Sequence, residues 1–167
     1  MAGKGSSLAE HNREISVRYK TIRDVVEFSQ QLHTKLAHQY AELEQLATSE
    51  RARLMLDYLQ RHERHLTETL AQYEADAAKG IMETWMQYVP ECHVNELLEK
   101  VRDVSLNDVD DIVATALEVD DCLIKVYEDM AGNNDLDELK VVAQNLMQLE
   151  SNEMHQVARS ALRLNDL

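Results

Sequence analysis

The sequence predicts an all-α protein, and three observations carry that expectation. Its 167 residues contain one Pro and four Gly, so almost nothing interrupts a helix, while Leu, Ala, Glu, Gln and Arg are abundant. Apolar residues return at every third or fourth position over four long segments, the spacing of a buried helical stripe. Two short breaks, Thr48-Ser49 and Gly132-Asn133-Asn134-Asp135, carry capping and turn residues and divide those segments into two helical hairpins.

The first long helix is expected from about Asn12 to Leu46, with the stripe Ile22, Val26, Ser29, His33, Leu36, Tyr40, Leu43 and Ala47. The second runs from about Glu50 to Ala78, and its stripe of Ala52, Met55, Leu59, His62, Leu66, Thr69 and Tyr73 has a histidine at its centre. After Lys79-Gly80 a connection of about 25 residues follows, too long for a hairpin turn. It contains Trp85 and Pro90 and a short amphipathic helix near Val94 to Val101, as a crossover along the bundle would need. Trp85 is expected to pack beneath this crossover. Ser105 is read as the cap of the third long helix, about Leu106 to Ala131, and the fourth occupies about Leu136 to Leu164. His33, Leu36, Tyr40 and Leu43 recur with identical spacing as Asp120, Leu123, Tyr127 and Met130, a weak internal repeat.

Composition narrows function by exclusion. A net charge of −14 with no stripe of Lys and Arg argues against nucleic acid. No apolar run approaches membrane-spanning length, and the cytoplasm is the default location. Residues 1–11, with Gly3, Gly5, Ser6 and Ser7, read as a flexible arm, and 12–167 as a single domain. Cys92 and Cys122 are too few and too far apart in sequence for a disulfide framework or a Cys-x-x-Cys metal site, and are expected to be idle thiols.

The chemistry lies in the interrupted stripes. Residues equally distant from a tight turn face one another in an antiparallel hairpin, so His33 falls level with His62 and His65 across Thr48-Ser49. His62 and His65 are one turn apart, a spacing that lets two imidazoles reach one ion. Asn152 and His155 repeat this spacing on the fourth helix, and Asp120 falls level with Asn152 across the second turn. Burying such groups in an apolar seam is costly unless they are paired or bound to metal, so His33, His62, His65, Asp120, Asn152 and His155 form the candidate metal set. Glu63, Glu118, Glu150 and Glu153 adjoin them and are read first as a solvated face that could rotate in.

Two hairpins joined by a crossover resemble the ferritin-like superfamily, rubrerythrins especially; Ala116-Leu117-Glu118-Val119-Asp120, continuing to Tyr127-Glu128-Asp129-Met130-Ala131, looks like that family's third helix. The resemblance spans about Arg18 to Leu164. It implies a ferritin-like four-helix bundle, with the family's carboxylate positions on His33, His62, Asp120 and Asn152 and its histidines at His65 and His155. Three of the four acids are replaced, and the set supplies one negative charge and mostly nitrogen, which suits a single divalent ion. The expected function is therefore a transition-metal protein, iron first with manganese, zinc or copper as alternatives, acting in metal handling or oxygen and peroxide chemistry. The alternative is a metal-free interaction module with a decayed site; a histidine phosphotransfer bundle fits less well, because His33 lacks the following Lys and Gly. Ile15, Val17, Tyr19 and Ile22, with Ile81, Met82, Trp85, Met86 and Val89, supply apolar surface beyond the inward stripes, and a homodimer covering it is expected.

Overall fold

The computed structural model describes residues 21–86 and 92–166. Within them lie α1 (Ile22–Leu46), α2 (Glu50–Asp76), α3 (Lys79–Met82), α4 (Val94–Arg102), α5 (Val109–Gly132) and α6 (Asp137–Asn165). The all-α expectation holds. The four long segments and the short crossover helix are in place, and the single turn α3 is additional.

Helix starts follow local capping more closely than the apolar pattern does. Thr21 and Asp24 form a reciprocal capping box: the Asp24 amide donates to Thr21 Oγ1 at 3.3 Å, and the Thr21 amide donates to Asp24 Oδ2 at 3.0 Å. Thr21 is itself extended and Ile22 N donates to Thr84 O at 3.1 Å, so α1 begins at Ile22 and does not run through from Asn12. The expected arm, and residues 12–20, lie outside the described residues. Ser49 caps α2 as expected, accepting from Ala52 N. α5 is capped by Asp108 instead of Ser105; its side chain accepts from Asp110 N at 2.9 Å, and Asp110 and Asp111 complement the positive end of the helix dipole.

Side-chain bonds fix the directions of the long helices. Arg23 at the start of α1 bonds to Glu74 at the end of α2, at 2.5 Å. At the same end of the molecule, Tyr73 accepts from Asn145 near the start of α6, and Ser29 of α1 bonds to Tyr127 near the end of α5. At the far end Arg51 of α2 reaches Asn165 at the close of α6. α2 and α5 therefore run parallel, which requires the connection between them to travel the length of the bundle. One core joins all four long helices, including Leu32, Leu36, Leu59, Leu123 and Leu146.

Two sequence expectations are corrected along the crossover. Cys92 and Cys122 are a disulfide, with Cα atoms 6.3 Å apart, not idle thiols. The 30 residues separating them mislead, because α4 folds back along α5, where Lys100 also pairs with Glu118. Trp85 is 67% exposed and is not packed beneath the connection; its backbone bridges to Thr21 while its ring stays outside. Ile22, Met82 and Met86 are buried within the single chain, so much of the apolar surface assigned to a partner is covered internally. Ile15, Val17, Tyr19 and Val89 lie outside the described residues. No described helix is long and apolar enough to cross a membrane.

A cross-link closing a loop of this size restricts the unfolded chain. Cys122→Ser should lower stability by about 3 kcal/mol, or roughly 6–12 °C in melting temperature for a domain of this size. Non-reducing denaturation of the two proteins measures it; equal midpoints would show that the bond contributes nothing.

Candidate functional site

Each long helix carries polar groups into the core near its middle: His33 from α1, His62 and Glu63 from α2, Asp120 from α5, and Glu150 and Glu153 from α6, all buried. They sit among fully buried leucines, including Leu32, Leu36, Leu59, Leu66 and Leu123. Unpaired, such groups would cost several kcal/mol each (~2–7 for a neutral polar group and more for a charge), so their pairing decides whether the fold tolerates them.

His33 is the centre of that pairing. Its Nδ1 lies 2.6 Å from Glu63 Oε2 and its Nε2 3.1 Å from Glu150 Oε1. Tyr127 OH also donates to Glu150 Oε1, at 3.3 Å, and lies 2.7 Å from Ser29 Oγ. Beside this chain, His62 Nδ1 is 3.0 Å from Glu153 Oε2, and Tyr58 stacks on the His62 ring with centroids 5.9 Å apart. Four polar atoms of the cluster are buried with no hydrogen-bond partner: His62 Nε2, Asp120 Oδ1, Glu150 Oε2 and Tyr40 OH.

The electrostatics follow from these distances. Burial opposes charging His33, but the field of Glu150 and the hydrogen bonds to Glu150 and Glu63 outweigh it, holding the ring well above the usual histidine range. The two carboxylates thus favour the imidazolium, the form in which both ring nitrogens donate. Burial, with the fields of Glu63 and Glu150, pushes Asp120 well above the usual carboxyl range and so favours its protonated form. Burial and the fields of Glu63 and Asp120 likewise raise Tyr40. The hydrogen bond from His62 lowers Glu153.

Of the six residues predicted from spacing, the structure brings together His33, His62 and Asp120. His65, Asn152 and His155 are exposed. Asn152 accepts from Gln148 Nε2 at 2.8 Å, and His155 Nδ1 donates to Ser151 O at 2.6 Å, both within the outer surface of α6. Their places are taken by Glu63, Glu150 and Glu153, residues that spacing had assigned first to a solvated face; Glu118 does stay on the surface, paired with Lys100. Stepping by three along a helix drifts about 60° per step, so His65 leaves the core face that His62 borders. The missed signal was in the flanks. Glu63 is framed by Leu56, Leu59, Leu66 and Leu70, and Glu150 by Ala143, Leu146 and Val157, whereas Asn152 is framed by Asn145, Gln148, Gln156 and Arg159.

The charge count is corrected accordingly. The cluster holds four carboxyl groups and two imidazoles, not one carboxylate in a nitrogen-rich set. As they stand, no group of three or more His, Cys, Asp or Glu side chains among the described residues is arranged to hold a metal ion, since His33 lies between Glu63 and Glu150. No family model, characterised protein or solved structure matches the chain.

The pKa directions set a pH dependence for the metal-free protein. His33, raised on folding, contributes stability that is complete below its unfolded pKa and lost as pH rises through the folded one. Asp120, also raised, acts in the same sense: its contribution is complete below about pH 4 and is lost as pH rises through the folded pKa. Glu153, lowered, acts oppositely, and its contribution disappears only in stronger acid. Stability should therefore be greatest in mild acid, at about pH 4–5, and fall towards pH 9. Asp120→Asn should flatten the alkaline side of that profile; denaturation across pH checks it, and a profile rising from pH 6 to 9 would contradict the assignment.

Proposed function

We propose that this chain is a ferritin-like four-helix protein, nearest in pattern to rubrerythrins, that binds a transition metal in the cluster between its long helices. The observation that carries the reading is the donor set: four carboxyl groups and two imidazoles, drawn from all four long helices and buried together. Interhelical sites of this composition are the means by which carboxylate-rich bundles hold pairs of iron or manganese ions. The parallel course of α2 and α5, with a long crossover between two hairpins, supports the ferritin-like topology.

The unpartnered atoms of the cluster support a metal, although its side chains converge on one point only once His33 gives up a carboxylate. His62 Nε2, Asp120 Oδ1 and Glu150 Oε2 are buried without partners, which is costly unless another group completes them. His33, His62, Glu63, Asp120, Glu150 and Glu153 would hold the ion or ions. Mostly oxygen with some imidazole favours iron or manganese over the zinc or copper that a histidine-rich set would suit. A bound redox metal would supply Lewis-acid and one-electron chemistry, serving metal handling or, in an enzyme, non-haem oxidoreduction of oxygen or peroxide. The chain does the positioning: Tyr127 orients Glu150, His33 holds Glu63 and Glu150, His62 holds Glu153, and the leucine layers exclude water. Holding an ion would cost His33 and Asp120 their protons, so metal affinity would rise with pH.

One observation favours the second reading, a metal-free helical module. Both nitrogens of His33 are already taken by carboxylates, so its positive charge does what a metal would do. Two further elements belong to the first reading. Exposed Trp85 is the natural centre of a homodimer contact, which sedimentation would detect. The Cys92–Cys122 bond argues for oxidising surroundings over the cytoplasmic default, because disulfides are rare in reducing compartments.

Elemental analysis of protein purified without added metal, and unfolding with Fe(II) or Mn(II) under anaerobic conditions, separate the readings. An ion at 100 times its dissociation constant should stabilise by about 2.7 kcal/mol, or roughly 5–10 °C. Glu150→Gln should abolish this gain, while Asn152→Ala and His155→Ala should keep it. No bound metal and no shift with either ion would leave the metal-free module.

A further inference from the structure

The polar side chains of the cluster are not equally deep. His33 and Glu150 are 0% exposed and Glu63 and Asp120 2%, whereas His62 is 6% and Glu153 8% exposed. The two shallowest are partners, 3.0 Å apart across α2 and α6. Of its polar side chains, the cluster therefore comes nearest to solvent at this pair, in the seam between those two helices. On α1 and α5 the neighbouring Ser29, Leu36, Tyr40, Leu123 and Tyr127 are all buried.

Other features mark that seam. His62 Nε2 is buried and has no partner. Tyr58 stacks on the same ring and limits how it can turn. His65 is exposed one turn further along α2, near enough to Glu153 to add to the field that lowers it. A ligand pair at the surface end of a buried polar cluster, with a second imidazole just outside, is a graded series of donors from water to core.

We infer that His62, Glu153 and His65 form the port through which a divalent cation reaches the buried ligands, arriving between α2 and α6. The inference rests on the metal-binding reading above. A hydrated dication cannot cross the leucine layers without losing its water against nothing, whereas along this seam each water lost is replaced by an imidazole or carboxylate. His65, which spacing had singled out and the buried cluster did not absorb, then has a role outside the site. His62 and Glu153 serve twice, as the inner end of the passage and as the outermost ligands.

Cobalt(II) uptake by the intact protein, followed by stopped-flow absorbance, tests the port. His65→Lys places a fixed positive charge at its mouth. It should leave the cobalt bound at saturation equal to that of the parent and slow uptake by about fivefold at low ionic strength, less as salt screens the charge. His155→Lys adds the same charge on α6, roughly 200° around the helix from Glu153, and should leave the rate unchanged. No slowing with His65→Lys, or equal slowing with His155→Lys, overturns the port and leaves the metal site standing. A parent protein that binds no cobalt overturns the metal-binding reading and the port together.

Discussion

His33 donates to a carboxylate on each of two other helices, Glu63 on α2 and Glu150 on α6, and Glu150 in turn accepts from Tyr127 on α5. One imidazolium thus ties all four long helices at a single level, inside a core that is otherwise apolar. Removing one partner of such a buried pair typically costs about 3–5 kcal/mol, because the other charge stays buried without compensation. The layer also favours one register of the helices, since sliding any of them by a turn would set a carboxylate against leucine. The rest of the bundle depends on this constraint: leucine layers on either side provide the cohesion, and the polar layer selects the alignment.

The arrangement is lopsided in charge, and that asymmetry is what motivates the proposed metal site. Four carboxyl groups face two imidazoles, and the burial and neighbouring carboxylates that hold Asp120 well above the usual carboxyl range lessen the excess of negative charge. A core built for stability alone would be better served by apolar residues of similar size, which often match or exceed a buried ion pair in stability. The unpartnered atoms of His62, Asp120 and Glu150 point the same way. The internal repeat adds a detail. Tyr40 and Tyr127 are equivalent in it, but Tyr127 meets Ser29, whereas the repeat places Ala116 at the matching position for Tyr40, whose hydroxyl has no partner.

Fold and site were legible in the sequence to different depths. The hairpins, the crossover and the level of the site came from turn residues and chain arithmetic, which depend only on length and helical rise; Glu63 is indeed opposite His33 across Thr48. The repeat was also sound, and all eight of its residues are buried. Which side chains occupy the level was harder to read. His65, Asn152 and His155 were chosen because their types bind metal and their spacing matched, but a helix face is set by its flanking residues, and those framing Asn152 are polar. Glutamates framed by leucine looked like surface because isolated glutamates usually are. The Cys92–Cys122 bond was hidden for a different reason: their approach depends on how α4 lies against α5, which local pattern does not encode.

The most direct test is the protonation of His33 itself. Nitrogen-15 NMR of the imidazole side chains in metal-free protein, followed from about pH 5 to pH 9, distinguishes the ring that carries two protons from the neutral tautomers. The account predicts that one histidine, lost in His33→Gln, keeps both ring protons well past the ordinary histidine range. A His33 that is neutral at pH 7, or that titrates within the ordinary histidine range, would contradict it.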